Sequence, residues 1–164
     1  MDDEINVIAP GANYGWPSDT GPNTNPAYAD PVFTFGTTIA ITDLLFYTGS
    51  TLPYSGDLFY VDYKGDRIRR LTMNAAGDQV TGGPFDFVTG VNEPVDVEQG
   101  PDGALYYCTL NTGRVYAAQV AGGPAPGYPT GGSDDSSGGC GLIGVEPFIL
   151  LGVVALARRS MRRR

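Results

Sequence analysis

Not one histidine occurs in the 164 residues of this chain. Acid–base and ligand chemistry therefore falls to carboxylates, tyrosines, a single lysine, arginines and two thiols, and Ser/His dyads, Cys/His dyads and histidine-held metals are excluded. Asp62, Asp66, Asp96 and Asp102 fall in or near turns, and hard oxygen ligands from turns suit calcium. They lack the dense alternating acids of an EF-hand loop, and turn chemistry accounts for them without an ion. We assign no metal site and no catalytic residue to the chain. Cys108, inside LYYCT, reads as a small buried core residue. Cys140 ends a Gly-rich stretch, so the two cysteines read as independent rather than as a disulfide.

Charge is unevenly spread. Residues 1–140 carry 17 acids against five bases, whereas residues 141–164 carry five arginines against one glutamate. An acidic body excludes nucleic acid as a partner, because phosphate contacts need basic patches.

The elements that position these side chains are read from a repeat. GDLFYVDYKGDRIRRL, from Gly56, and GALYYCTLNTGRVYAA, from Gly103, superpose at a spacing of 47 residues. Leu58 meets Leu105, Phe59 and Tyr60 meet Tyr106 and Tyr107, Arg67 meets Arg114, and Ile68 meets Val115. A period in the forties, built from short strands and Gly/Pro turns, is the signature of β-propeller blades. The predicted strands of the first complete blade are Asp43–Tyr47, Leu58–Asp62, Arg67–Thr72 and Phe85–Val88, with NAAGDQVTGG looping out before the last. Val95–Glu98 starts the next blade after it. GPDG, Gly100–Gly103, is a tight turn. Arg67, Arg69 and Arg70 are expected to pair with acids such as Asp62 and Asp66.

Glu4–Ile8, EINVI, has the alternation of a third strand whose first two partners are missing. Half a blade buries little apolar surface and exposes an unpaired edge, so we expect the chain to be the C-terminal piece of a longer protein. From Ala121 to Cys140, 13 of 20 residues are Gly, Pro or Ser, a linker that cannot bury a core. Residues 148–157 are then uninterrupted apolar positions before an arginine cluster, which reads as a hydrophobic helix at the short end of a membrane span, with the arginines left in the cytoplasm.

The stretches DEINVIAPGANYGWP, AITDLLFYTGSTLPYSGDLFYVDYKGDRIRRL and PVDVEQGPDGALYY resemble the C-terminal blades of the glucose/sorbosone dehydrogenase family over about residues 3–120. The resemblance implies an all-β fold, a partial six-bladed propeller holding roughly the last two to three blades. It further implies quinone-dependent oxidation of aldose sugars using pyrroloquinoline quinone (PQQ) and calcium, with the histidine base in a blade that this chain lacks. It places Tyr14 and Trp16 in a loop over the cofactor, where they would contact substrate, and Lys64 against the quinone carboxylates. The sequence departs from the family where active relatives carry arginines, with Glu93 and Val95 at the matching positions, and it has no histidine after PVFTF. The tail resembles bacterial C-terminal surface-sorting signals, with processing around Cys140.

The reading is thus three segments: blades over 1–120, a linker over 121–140, and a hydrophobic, Arg-ended sorting signal or membrane anchor over 141–164. The function it implies is a piece of an exported bacterial sugar dehydrogenase, at the cell surface and inactive by itself. The alternative is a non-catalytic surface propeller that binds a sugar or another small molecule.

Overall fold

The structure is a computed structural model and describes residues 2–118 together with the strand Ala155–Ala157. Its strands are β1 (Glu4–Ile5), β2 (Phe33–Thr34), β3 (Ile41–Phe46), β4 (Leu58–Asp62), β5 (Arg67–Met73), β6 (Val80–Thr89), β7 (Pro94–Gln99), β8 (Leu105–Thr109), β9 (Arg114–Ala118) and β10 (Ala155–Ala157). They form two four-stranded antiparallel sheets, ordered β3-β4-β5-β6 and β7-β8-β9-β10, and a two-stranded sheet β1-β2. β4 and β8 begin 47 residues apart, as do β5 and β9, so the sequence repeat is the blade repeat.

Each sheet follows from strand alternation and turn chemistry. β4 is buried along its whole length, as a strand sandwiched between neighbouring sheets must be, and it reads as the near-continuous apolar run LFYVD. One core lies between the two complete blades, with Tyr47, Phe59, Ile68 and Phe87 meeting Val97, Leu105 and Tyr107. A second lies between the first complete blade and β1-β2, where Ile5 and Phe35 pack on Leu58, Tyr60 and Leu71. Phe59 and Phe87 meet edge to face at 4.9 Å, an arrangement that adds about 0.5–1.5 kcal/mol to simple burial.

Several boundaries differ from the sequence reading, for visible reasons. β6 begins at Val80 rather than Phe85, because Met73 and Thr72 pair with Val80 and Gly82. The loop shrinks to a turn that Asn74 closes, its Oδ1 accepting the Asp78 and Gln79 amides. β1 ends at Ile5 rather than Ile8: the Val7 carbonyl and the Ala9 amide are bonded instead to the Tyr14 hydroxyl. Where a helix was expected within 141–164, Ala155–Ala157 is a strand on β9, with Ala155 opposite Ala117. The rest of that segment, the linker and Cys140 lie outside the described residues. Among the described residues, no helix is long and apolar enough to cross a membrane.

Candidate functional site

Sheet direction defines two ends. At one end lie the β4–β5 turn carrying Lys64, the 39–40 segment and the start of β7. The Lys64 amide donates to Ile39 O at 3.0 Å, and the Asp3 carboxylate accepts the Ile39 and Ala40 amides at 3.0 and 2.7 Å. Asp66, at φ 51° in the same turn, accepts the Glu93 amide at 3.1 Å and so ties this turn to the entry of the next blade. Lys64 is exposed at this end, and no ion pair to it occurs among the described residues.

At the other end, Val7 lines a cavity of about 130 Å³ with Phe46, Leu58, Met73 and Gly77. The Tyr14 hydroxyl donates to Val7 O at 2.7 Å and accepts from the Ala9 amide at 2.8 Å, so it braces its own loop. β4 separates the two ends: four residue steps, about 13 Å of strand. The structure therefore does not bring Tyr14 to Lys64. Trp16, two residues on, is 66% exposed. Between them Gly15 takes φ +88°, and a Cβ there would stand 2.9 Å from Asp19 Cβ and 3.0 Å from Tyr28, so only glycine fits this tight fold-back.

The arginines of β5 are spent on structure. Arg67 Nε pairs with Asp62 at 3.0 Å and Arg69 Nε with Asp86 at 2.8 Å, while Arg70 holds Asp57. Asp62 is the acid expected for this group; Asp66 is not, because its carboxylate serves the Glu93 amide. Asp102 likewise accepts the Ala104 amide and the Tyr106 hydroxyl, which explains that turn without a metal. Among the described residues, no group of three or more Cys, Asp or Glu side chains is placed to hold a metal ion.

Sequence reasoning predicted the first strands and weighed Asp96 only as a turn acid, and it passed over Asp43 as a site residue. In a propeller the sheets surround a central channel, and the first strand of each blade lies next to it. Here those strands, β3 and β7, carry Asp43, Asp96 and Glu98, with Cys108 opposite Asp96 on β8. Asp43 Oδ2 accepts the Val97 amide across the seam at 2.9 Å. Partial desolvation, a hydrogen bond to Asp43 and the charges of Asp43 and Glu98 push Asp96 above the usual carboxylate range, against the pull of the Val97 amide. Cys108 is a half-buried free thiol, raised by burial and by the two aspartates. That places it far from the low-pKa setting of a nucleophilic thiolate. The signal that could have found Asp43 was an acid in the middle of an otherwise uncharged strand, ITDLLF.

Consecutive four-stranded antiparallel sheets, packed face to face around shared first strands, define the class: this is part of a β-propeller. Residues 1–117 match the model of the family described as Glucose / Sorbosone dehydrogenase. The chain is 30% identical over 128 residues to slr1608, an uncharacterized protein of Synechocystis sp., covering 69% of this chain and 30% of that protein. Among solved structures it resembles the PQQ-bound aldose sugar dehydrogenase of Streptomyces coelicolor, with TM-score 0.56, 25% identity, and 68% and 31% of the two chains covered. It also resembles the apo-form of the soluble aldose sugar dehydrogenase of Escherichia coli, with TM-score 0.56, 28% identity, and 70% and 34% covered. The chain belongs to the glucose/sorbosone dehydrogenase family, and it spans about a third of the length of these relatives.

Toward the quinone that the family implies, the described residues offer two exposed cations, Lys64 in the β4–β5 turn and Arg114 at the start of β9. Against them stand Asp43, Asp96 and Glu98 on the first strands and Glu93 at the entry to β7. Like charge at that density opposes a polycarboxylate, so the residues of this chain do not by themselves fit the group.

Proposed function

We propose that the chain supplies the last blades of an exported protein that oxidises aldose-type sugars. On this proposal, residues 141–164 hold the protein at a membrane or direct it to the cell surface. The observation that carries the reading is the family match over residues 1–117, joined to the sugar-dehydrogenase descriptions of two solved relatives. A sugar hydroxyl must lose a proton as its carbon is oxidised, and a chain without histidine has no side chain with an unperturbed pKa near neutrality to take it. The proton acceptor and most of the quinone contacts are therefore assigned to the remaining blades, with Lys64 as this chain's contribution.

The test is dye reduction by an aldose, with quinone and calcium added, comparing the protein that includes the remaining blades with this chain alone. Turnover by the longer protein and none by the chain is the expected result. Turnover by this chain alone would refute the division of labour.

A second reading, a surface propeller that binds a sugar without oxidising it, is favoured by the acids at Asp43, Glu93, Asp96 and Glu98. It predicts sugar binding by calorimetry in a longer protein that retains no quinone, and it fails if quinone is retained stoichiometrically.

A further inference from the structure

The end of the first complete blade that lies opposite Lys64 holds a second concavity. An open bowl of about 480 Å³ sits between the loop leading into β4 and the β5–β6 turn, lined by Phe46, Asp57, Thr72 and Met73 with residues 55–56 and 74–77. That volume falls within the roughly 300–1,000 Å³ of small-molecule sites. All of the wall comes from β3, β5 and the two connections beside them, so one complete blade builds it.

Its polar wall is held in place before any ligand arrives. Asp57 is 7% exposed, and its Oδ2 is held by Arg70, whose guanidinium is itself stacked on Tyr54 and Phe85. The Asp57 amide donates to Tyr54 O, and its carbonyl accepts the Tyr47 amide, both at 3.0 Å, which fixes Asp57 beside Phe46. Asp57 Oδ1 accepts no hydrogen bond among the described residues, and the hydroxyls of Ser55 and Thr72 make none there either. Asn74, by contrast, is consumed in closing its own turn. Phe46 supplies the apolar wall: it is 46% exposed, and one edge of its ring rests on Gly77, where a Cβ would stand 3.6 Å from Cε1 and Cζ.

These groups select a ligand by charge. No lysine or arginine lines the bowl, so nothing in it neutralises an anion. Asp57 already has its counter-charge in Arg70, so what its free oxygen lacks is a hydrogen-bond donor rather than a cation. We propose that the bowl binds a neutral polyhydroxyl ring, the pyranose of a sugar or glycoside, with its C–H face on Phe46. One ring hydroxyl donates to Asp57 Oδ1, a charge-assisted bond stronger than a neutral one, and others exchange hydrogen bonds with Ser55 and Thr72. β4 stands between this site and Lys64, so it is separate from the quinone end and needs neither a quinone nor a catalytic base.

Amide NMR on the full chain tests this, with methyl glucoside and methyl galactoside as probes, since neither has a free anomeric hydroxyl to oxidise. At least one should give saturable shifts at Gly56, Asp57, Met73 and Gly77 while the Lys64 and Glu93 amides stay in place. Phe46→Ala should weaken binding by about tenfold, the loss of about 1.4 kcal/mol. Ala76→Trp, at an exposed turn position, should fill the bowl and abolish binding while the rest of the spectrum is kept. If Phe46→Ala does not fold, the tryptophan variant decides. The proposal is overturned by the absence of saturable shifts with both glycosides at their highest soluble concentrations, by shifts confined to other residues, or by full binding in Ala76→Trp. Choline moving these amides where the glycosides do not would overturn the ligand class. Because the probes cannot be oxidised at the anomeric carbon, failure of dye reduction by the longer protein leaves this result untouched.

Discussion

The Arg70 guanidinium lies 4.1 Å above the Tyr54 ring while its Nη1 holds the Asp57 carboxylate. The Phe85 ring stands 4.7 Å from the same carbon. One cation thus joins the turn before β4 to the outer strand of its blade. Both charged side chains are largely shielded from water, so removing one strands the other. Arg70→Ala should lower stability by about 3 kcal/mol, read as a drop in the urea midpoint at unchanged slope. Arg70→Lys should recover only part of this, because an ammonium lacks the planar face that stacks on Tyr54.

Tyr60 and Tyr107 are both pushed up to about 12, by burial first in each case. For Tyr60 the Arg69 charge pulls the other way and Asp62 adds to the rise; for Tyr107, Tyr116 adds to it. The folded state therefore keeps these protons past the unfolded value of about 10. Their contribution is whole below about pH 10 and is lost as pH climbs through about 12. An absorbance titration should show two tyrosines ionising late and together with unfolding. In Tyr60→Phe one late step should vanish and the alkaline loss of stability should become shallower.

Trp16 is the only tryptophan and stands 66% exposed in a loop braced by Tyr14. Its emission should be that of a hydrated indole, and iodide should quench it almost as readily in the folded chain as in urea. Trp16→Ala should change stability by no more than about 0.5 kcal/mol. A blue-shifted, protected emission would show that this loop is covered.

Lys64 gives a test that separates structure from ligand. Its side chain is exposed, so Lys64→Ala should leave the urea midpoint unchanged to within about 0.5 kcal/mol. In the protein that includes the remaining blades, the same change should weaken quinone retention by about tenfold, the worth of one charge-assisted contact. Unchanged retention would remove Lys64 from the site.

The blades were legible because burial and turn chemistry repeat together. Leu58 and Leu105 open equivalent strands, and Arg67 and Arg114 open their return strands, so aligning residue types aligned backbone elements. The site was less legible. Tyr14 looked like a flat face for a ligand, yet its hydroxyl closes its own loop, a local bond that spacing alone does not reveal. Asp43 escaped notice because it lies outside the superposed repeat. Its partner is also 54 positions away, aimed by bulges that leave no mark in composition.

The core between the blades has a consequence for how the molecule comes apart. Tyr47 sits fully buried in it, donating its hydroxyl to Gly103 O while accepting from the Leu52 amide, and Phe59 and Val97 pack in the same cluster. Neither blade can open without uncovering apolar surface on the other and leaving one of those bonds unmade. The repeat is thus one of architecture and not of thermodynamics: calorimetry should find a single cooperative unit spanning Tyr47 to Ala118, with no plateau at which one blade has melted and the next survives.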